Sequence, residues 1–284
     1  MHHIETIDGI RDAVATARAS GQRIGLVPTM GFLHEGHLRL VDEARRRAGC
    51  VVMSVFVNPT QFGPNEDFSR YPRDLAGDSA KASGRGVDLL FAPDVTAIYP
   101  TAPPSIRVEA DDLPTRWEGA VRPGHFTGVL TVVAKLFNIV APDVAVFGRK
   151  DFQQAALIRR MVRELNFPID VVVAPTVREH DGLALSSRNS YLDESARRSA
   201  LALVESLRAA TRAFAAGERS GAALTTIGTE SLARHTEVRV DYFAVVDAQG
   251  MRLVDEATEQ SVAIVAARVG ATRLIDNMIL GEGT

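Results

Sequence analysis

Two histidines that open a predicted helix directly after an apolar run are the residues in this chain best suited to do chemistry. The segment runs from the apolar stretch 24–27 through Pro28-Thr29-Met30-Gly31-Phe32-Leu33 to His34-Glu35-Gly36-His37. A helix N-terminus presents unpaired backbone N–H groups and the positive end of the helix dipole, and both stabilise a phosphate. Imidazoles at positions i and i+3 share the first turn and can neutralise charge that builds up on that phosphate. The pattern therefore indicates a site for a nucleotide triphosphate.

The same histidine pair has two simpler interpretations. A His-x-x-His spacing also suits two solvated helix residues, or half of a metal site whose other ligands lie elsewhere. The context favours the phosphate site, because apolar residues recur at helical spacing from Leu38 to Ala44. A strand–loop–helix corner is also the place where open α/β sheets bind their ligands. On these residues alone, all three interpretations stay open.

The histidine corner belongs to a region in which short β-branched runs alternate with helical periods. The predicted strands cover 24–27, 50–57, 87–91, 144–147 and 171–173, and the predicted helices cover 35–48, 74–83, 128–139 and 151–165. The runs are continuously apolar, as strands buried on both faces are. The alternation predicts a parallel sheet with helices on both faces.

The pattern changes after residue 189, where an Ala- and Arg-rich helical region precedes three strand-like runs. The predicted helices are 193–216 and 221–234, and the predicted strands are 238–246, 261–268 and 273–278. These elements fit a small antiparallel sheet with helices, and the polar, turn-prone linker 178–182 is a suitable boundary. We therefore predict one domain over residues 1–178 and a smaller one over residues 179–284.

Composition limits the class of protein and its partners. The chain has 284 residues, 46% of them hydrophobic, with a formal net charge of −3 and one cysteine, Cys50, inside an apolar run. No apolar run approaches the ~20 residues that cross a bilayer, and the N-terminus lacks the pattern of a signal peptide. The charge gives no basic face for nucleic acid, and a single buried-type cysteine suits a reducing cytosol. We expect a cytoplasmic protein with small-molecule partners, bound neither to nucleic acid nor to a membrane.

Three further segments carry polar residues just beyond predicted strands or near the domain boundary. They are Asn58-Pro59-Thr60-Gln61, Gly148-Arg149-Lys150-Asp151 with the following Gln153-Gln154, and Leu185-Ser186-Ser187-Arg188. An amide pair can orient a hydroxyl or a carboxylate, Lys150 offers a point charge for phosphate, and the Ser-Ser-Arg loop is suited to close over a triphosphate. Taken singly, each segment also fits an ordinary turn or a helix cap.

In this order and spacing, the motifs resemble those of the pantothenate synthetase (pantoate-beta-alanine ligase) family. The resemblance extends from Val27 to Tyr191, and the C-terminal third fits the family only by length and pattern. It implies a Rossmann-like doubly wound parallel sheet with a HIGH-type nucleotidyltransferase corner. It also implies a smaller α+β C-terminal domain that acts as a lid and is associated with a homodimer.

The family resemblance implies a two-step, AMP-forming ligation in pantothenate biosynthesis. The pantoate carboxylate would attack the α-phosphorus of ATP to give pantoyl adenylate and pyrophosphate, and the amine of β-alanine would then displace AMP. Mg²⁺ would accompany the triphosphate. Phosphoryl transfer of this kind needs positioning and charge neutralisation more than covalent help from the protein, which suits the residues in these segments.

The resemblance also implies roles for individual residues. His34, His37 and Lys150 would be catalytic, and Gln61, Gln154 and Asn58 would bind pantoate and β-alanine. Asp78 and Asp151 are the candidate magnesium ligands by position. The implied ATP-binding residues are Pro28, Thr29, Met30, Gly31, His34, His37, Gly148, Arg149, Lys150, Asp151, Val177, Leu185, Ser186, Ser187 and Arg188.

Rival hypotheses remain at this stage. Another nucleotidyltransferase, such as a cytidylyltransferase, or a relative of the aminoacyl-tRNA synthetases would share the histidine corner. The two glutamines expected to bind pantoate argue against both, and a tRNA enzyme would also be expected to carry a basic surface. A nucleotide-binding module without catalysis is a rival of a different class, and Lys150 together with both histidines argues against it.

Overall fold

The computed structural model describes residues 1–64, 66–101 and 103–283. The chain forms two compact units: the first comprises Met1–Arg149 and Leu157–Pro175, and the second comprises Lys150–Ala156 and Thr176–Thr284. The short stretch Lys150–Ala156 therefore groups with the second unit although the chain around it belongs to the first. The division into domains over 1–178 and 179–284 stays a prediction about functional domains.

The first unit is built on a parallel sheet, as predicted, and the sheet has six strands where five were predicted. Its spatial order is β1-β4-β3-β2-β5-β6, and the central strands are buried along nearly their whole length. The strands are β1 (His2–Ile4), β2 (Ile24–Thr29), β3 (Cys50–Val55), β4 (Leu89–Phe91), β5 (Val144–Gly148) and β6 (Asp170–Ala174). Cys50 lies in this core with 3% of its surface exposed, and burial raises the pKa of its thiol.

Among the residues that the structure describes, seven helices lie between these strands along the chain. They are α1 (Ile7–Ala19), α2 (Glu35–Arg45), α3 (Leu75–Gly84), α4 (Val95–Ile98), α5 (Glu118–Val121), α6 (His125–Val140) and α7 (Phe152–Glu164). The predicted helices correspond to α2, α3, α6 and α7, and α6 begins at His125 rather than at residue 128. Strand β1 and helices α1, α4 and α5 were not predicted. Within the described ranges, no helix combines the length and apolarity needed to span a membrane.

The order of the strands places a topological switch point between β2 and β5. Strand β2 pairs with β3 on one side and with β5 on the other, so the chain leaves these strands in opposite directions. Gly25 is level with Val144 in this parallel pair, and the same register continued along both strands brings Thr29 level with Gly148. Open α/β sheets bind ligands outside the carboxyl ends of strands at such a point. The loops that follow Thr29 and Gly148 therefore start at the same edge of the sheet.

The second unit contains a three-stranded antiparallel sheet and two long helices, also as predicted. The elements are α8 (Glu194–Ala215), α9 (Gly221–Ala233), β7 (Val238–Val246), β8 (Val262–Val269) and β9 (Thr272–Ile279), with β8 in the centre of the sheet. Strand β8 is buried on nearly every residue, and a cluster that includes Leu203, Leu207 and Val265 forms the core between helices and sheet.

Candidate active site

The two histidines cap helix α2 with their own rings. His34 is the N-cap residue, and its Nδ1 accepts a hydrogen bond from the backbone N–H of Gly36 at 3.1 Å. The Nδ1 of His37 accepts from the backbone N–H of His34 at 3.3 Å. A nitrogen that accepts a hydrogen bond carries no proton, so each neutral ring has its proton on Nε2. The geometry thus makes both rings Nε2–H donors.

The two imidazole rings also lie against each other. Their centroids are 4.0 Å apart, with the ring planes tilted by 32°. The hydrogen bonds accepted by the two Nδ1 atoms hold the rings in this arrangement at the start of the helix. Neutral donors beside a helix N-terminus suit an anionic oxygen that gains charge during a reaction.

The loop between β2 and α2 is held by a carboxylate from helix α3. The two carboxylate oxygens of Asp78 accept hydrogen bonds from the backbone N–H groups of Phe32, at 2.7 Å, and Leu33, at 2.6 Å. Only 1% of the Asp78 surface is exposed. Helix α3 itself is capped by Asp74, whose side chain accepts from the N–H of Gly77 at 2.9 Å.

The acidic residues predicted to bind magnesium do not form a cage for the ion. Both oxygens of Asp78 are occupied by backbone N–H groups, and Asp151 lies beside Lys150, with 3.9 Å from Oδ1 to Nζ. Over residues 1–64, 66–101 and 103–283, no group of three or more His, Cys, Asp or Glu side chains is arranged to hold a metal. In this structure the contacts of the Asp78 carboxylate are with the loop backbone, and its assignment to magnesium stays a prediction.

The predicted amide pair forms a compact turn beyond strand β3. Asn58 caps a short 3₁₀ turn, Pro59–Gln61, through a bond from the N–H of Thr60 to its Oδ1. The Asn58 Nδ2 donates to Gln61 Oε1 at 3.0 Å, and the hydroxyl of Tyr99 donates to Asn58 Oδ1 at 3.0 Å. Since Oε1 of Gln61 is an acceptor here, its Nε2 is the donor end of the side chain.

The Gln61 amide also connects this turn to the loop after β2. Its Nε2 lies 3.0 Å from the sulfur of Met30, which is one of the predicted ATP-binding residues. The structure therefore brings together Met30, Asn58 and Gln61, which the sequence places in two separate motifs. A buried, oriented amide of this kind recognises a hydroxyl or carboxylate and rejects analogues that leave it unpaired.

Gly128 on helix α6 sets the position of the amide turn, and we expect its replacement by alanine to displace that turn. An added Cβ would lie 2.3 Å from the carbonyl oxygen of Thr60 and 2.7 Å from the Cα of Gln61. Both neighbouring atoms belong to the backbone, so the steric clash can be relieved only if the turn moves. We expect this to lower the free energy of unfolding by about 1–3 kcal/mol. Urea unfolding of Gly128→Ala should show this loss. Gly84→Ala is the matched control because an added Cβ there meets nothing within 4 Å; equal stability of both variants would contradict the prediction.

A histidine that was not predicted, His125 at the start of helix α6, supports the same turn. The Nδ1 of His125 lies 2.8 Å from the carbonyl oxygen of Gln61, and the Arg122 guanidinium approaches the His125 Nε2 at 2.9 Å. Glu66 pairs with Arg122 at 2.7 Å. Burial, reinforced by the positive charge of Arg122, lowers the pKa of His125 to about 4. The neutral ring donates from Nδ1 to Gln61 and accepts from Arg122 at Nε2.

This half-buried imidazole predicts a loss of stability on acidification. The pKa of His125 is about 4 in the folded state, against an ordinary value of 6.5, so the unfolded chain binds the extra proton first. The neutral ring contributes fully to the free energy of unfolding above pH 6.5. This contribution declines as the pH falls and is lost by about pH 4, and the loss over this range is roughly 3 kcal/mol at most. The charged groups around the ring are Arg122, Glu66 and Glu118.

Urea unfolding at pH 7.5 and pH 4.5 tests the effect by comparing wild type with His125→Asn. Asparagine keeps an N–H donor for the Gln61 carbonyl and does not titrate. The stability of the wild type should fall more between the two pH values than that of the variant, by about 2–3 kcal/mol. Parallel pH dependence in the two proteins would show that His125 is not the group responsible.

Lys150 and the predicted residues from Val177 to Arg188 belong to the second unit. There, Lys150 is fixed by a strand that the sequence did not connect with it. Its carbonyl oxygen accepts a hydrogen bond from Asn277 Nδ2 on β9 at 2.9 Å. The neighbouring Asp276 is buried and forms two bonds with the Arg178 guanidinium, at 2.6 Å and 3.1 Å. The backbone at Lys150 is therefore held by a buried polar network on β9.

Arg178 also lies in a small hairpin, and this hairpin brings together Val177 and Leu185, two of the predicted ATP-binding residues. The N–H of Leu185 donates to the carbonyl oxygen of Val177 at 2.9 Å, and Arg178 pairs with Ala184 as an antiparallel bridge. Beyond the hairpin, Ser186 caps the short turn Ser187–Tyr191, and its Oγ accepts from the N–H of Arg188 at 3.3 Å. Val177, Leu185 and the Ser-Ser-Arg segment are thus continuous in space.

The adjacent glutamines at the start of α7 differ in burial. Gln153 is buried, with 4% of its surface exposed, whereas Gln154 is half-buried. Neighbouring helix positions point about 100° apart, which accounts for this difference. The assignment of Gln154 to pantoate stays a prediction, as do the ATP contacts of Pro28, Thr29, Gly148 and Arg149.

Comparison with known proteins gives a consistent result over the whole chain. The family model for pantoate-beta-alanine ligase matches residues 2–279. The pantothenate synthetase of Moorella thermoacetica is 52% identical over 280 residues, which cover 99% of each chain, and that of Geotalea daltonii is 50% identical over 282 residues, covering 99% of this chain and 100% of the relative.

Solved structures agree with the sequence relatives. The crystal structure of pantothenate synthetase from Thermus thermophilus superposes with a TM-score of 0.94 at 48% identity, covering 99% of both chains. A pantoate-beta-alanine ligase from Francisella tularensis, in complex with beta-gamma ATP and beta-alanine, gives a TM-score of 0.81 at 32% identity over 99% of this chain and 98% of that one. This chain therefore belongs to the pantoate-beta-alanine ligase family.

Proposed function

We propose that the two stacked imidazoles of His34 and His37, together with Lys150, stabilise the α-phosphate of ATP while pantoate attacks it. The observation that carries this proposal is the pair of Nδ1 caps, because they leave both rings as Nε2–H donors at a helix N-terminus. Donors fixed before the reaction stabilise developing charge without having to reorganise. The pair lies at the edge of the sheet where β2 and β5 end.

The family defines the overall reaction. The enzyme is a ligase that condenses pantoate with β-alanine to pantothenate in an ATP-dependent reaction. In the first step a pantoate carboxylate oxygen forms a bond to the α-phosphorus, and the bond from that phosphorus to the β-phosphate bridging oxygen breaks, releasing pyrophosphate. In the second step the amine of β-alanine forms the amide bond, the acyl–oxygen bond to AMP breaks, and the amine loses its proton.

For the substrates we propose a division of roles that follows the contacts. Gln61 binds pantoate through its Nε2–H group, whose orientation is set by Asn58, and it remains adjacent when β-alanine arrives. Gln154 binds the other side of pantoate. The ATP-binding residues are those of the loop 28–31, the two histidines, Gly148 to Asp151, Val177 and Leu185 to Arg188. Neutral amides suit a hydroxy acid because they recognise its hydroxyls without adding charge.

Mg²⁺ is proposed to enter with ATP. The absence of a carboxylate cage among the described residues agrees with a metal that keeps water and phosphate oxygens as most of its ligands. Its chemistry would be to neutralise the triphosphate. Asp151, half-exposed beside Lys150, is the carboxylate we propose to approach the hydrated ion.

Membership of the family removes the rival interpretations as a cytidylyltransferase, a tRNA-charging enzyme or a catalytically inert module. We further propose that the enzyme is a homodimer with a C-terminal domain over 179–284 that acts as a lid, and that it works in the cytoplasm. Sedimentation equilibrium tests the dimer, and cell fractionation tests the location.

The decisive experiment mixes the enzyme with ATP, Mg²⁺, pantoate and β-alanine and then omits each component in turn. AMP and pantothenate should form only in the complete mixture. Without β-alanine, a burst of pyrophosphate equal to the enzyme concentration should reveal the adenylate. Formation of ADP instead of AMP, or AMP release that does not require pantoate, would contradict the proposed function.

A further inference from the structure

We infer that Asp78 and Lys81 of helix α3 are positioning residues for adenylate formation, because together they fix the backbone that immediately precedes His34. The inference rests on the proposed role of His34 and His37 in the first step. It gives Asp78 a function different from metal binding, and it assigns Lys81 a role that the sequence motifs do not suggest. Neither side chain is proposed to touch the substrates.

The backbone between β2 and α2 has an unusual conformation. Gly31 and Phe32 both have positive φ values, 84° and 52°. A left-handed conformation is costly for a residue with a side chain, and it persists only where the surroundings determine it. Two such residues in succession turn the following N–H groups toward one point, where an anion is stabilised. In this protein that point is occupied by the carboxylate of Asp78.

The carboxylate fits this position closely. Its Oδ2 accepts from Phe32 and its Oδ1 accepts from Leu33, so each oxygen holds one N–H group. A Cβ added to Gly31 would lie 2.8 Å from Oδ2, which shows how little space separates the loop from the carboxylate. Charge-assisted hydrogen bonds are roughly twice as strong as neutral ones, so Asp78 can hold a conformation that Phe32 alone would not adopt.

Lys81 binds the same loop as a hydrogen-bond donor, whereas Asp78 binds it as an acceptor. It lies three residues after Asp78, on the same face of α3, and its Nζ donates to the carbonyl oxygen of Leu33 at 2.8 Å. Both the N–H and the C=O of Leu33 are therefore bonded to helix α3. The next residue is His34, whose ring caps α2 and whose N–H bonds to His37. A shift of Leu33 would thus move both imidazoles.

The central test replaces Asp78 by asparagine, which keeps the shape but offers a donor in place of one acceptor oxygen. Asp78→Asn should lower kcat/KM for ATP in pantoate-dependent pyrophosphate release by about 10- to 100-fold, mostly through kcat, because the histidine donors move out of line. The ¹⁵N signals of the His34 and His37 rings should shift, while the Mg²⁺ concentration at half-maximal rate stays the same. Asp74→Asn, on the same helix with the same change of charge, is the matched control and should behave as wild type.

Lys81 supplies a second test that does not depend on a buried substitution, since its side chain lies at the surface. Lys81→Met should lower the same kcat/KM about fivefold and shift the His34 ring signals, and Lys81→Arg, which retains a donor for Leu33, should restore both. If Asp78→Asn fails to fold, this pair decides the question.

Three results would overturn the inference: wild-type kinetics in Asp78→Asn, wild-type kinetics in Lys81→Met, or a changed Mg²⁺ requirement in Asp78→Asn with unchanged histidine signals. The last result would assign Asp78 to the metal. A wild-type enzyme that forms no adenylate would instead refute the proposed function, so the two failures are distinguishable.

Discussion

Replacing Lys150 by alanine is expected to slow pantoyl adenylate formation by on the order of 10²- to 10³-fold while leaving the fold intact. This is the loss expected when one donor that is fixed in place and stabilises charge is removed. The fold should survive because the backbone at residue 150 is held through its carbonyl oxygen by Asn277, a bond that does not involve the lysine side chain. Stopped-flow measurement of pantoate-dependent pyrophosphate release gives the rate, and circular dichroism checks the fold.

Two further variants separate charge from geometry at this position. Lys150→Arg keeps a positive charge but replaces a compact ammonium by a planar fork, so we expect an intermediate rate. Arg163→Ala removes one positive charge from an exposed side chain on α7 and should leave the rate unchanged. Pyrophosphate release by Lys150→Ala at the wild-type rate would eliminate the catalytic role of Lys150.

The sequence predicted the parts of the fold whose signal is local. Buried strands such as Cys50–Val55 are continuous apolar runs, and helix α8 has a long amphipathic period, so both follow from pattern alone. Strand β1 has three residues, too few for a periodic signal, whereas helix α1, which buries Ile10 and Val14, is amphipathic and was overlooked. Their place in the fold depends on pairing with β4 and packing on the sheet, which are long-range contacts.

The site was predictable to the extent that its residues lie in motifs. His34, His37, Gln61 and Lys150 stand in short segments with recognisable spacing, which indicated the ligand class. The sequence could not show that the Nδ1 atoms cap the helix, because the tautomer follows from the loop geometry. Nor could the sequence show that Asp78, a candidate metal ligand by its position, accepts hydrogen bonds from two N–H groups of the loop.

The supporting residues were missed because their partners are remote in sequence. His125 contacts the carbonyl oxygen of Gln61 across 64 positions, and Asn277 contacts Lys150 across 127. One signal was available: Asp276 and Asn277 are consecutive polar residues between the apolar pairs Leu274-Ile275 and Met278-Ile279, and buried polar groups of this kind need partners. That pattern indicates a buried network, but it does not identify Arg178 or Lys150 as its members.

The second large effect is expected at His37, where substitution should impair the first half-reaction more than the second. His37→Ala removes one Nε2–H donor from the α-phosphate, with an expected loss of on the order of 10²- to 10³-fold in adenylate formation. Aminolysis of preformed pantoyl adenylate should fall less, because the phosphorus is not attacked in that step. Single-turnover assays started from ATP and from synthetic adenylate measure the two rates separately.

The double role of the His37 ring allows catalysis and helix capping to be tested apart. Asparagine places an acceptor where Nδ1 lies and can keep the bond from the His34 N–H, but it has no group at Nε2. Glutamine places its amide nitrogen near Nε2 and loses the cap. We therefore expect His37→Asn to retain wild-type stability with the slow adenylation of His37→Ala. We expect His37→Gln to recover part of the rate and to lose about 0.5–2 kcal/mol of stability. An equal loss of rate in both half-reactions would show that His37 has a structural role only. The same conclusion would follow if the adenylation rates of the three variants rose and fell with their free energies of unfolding.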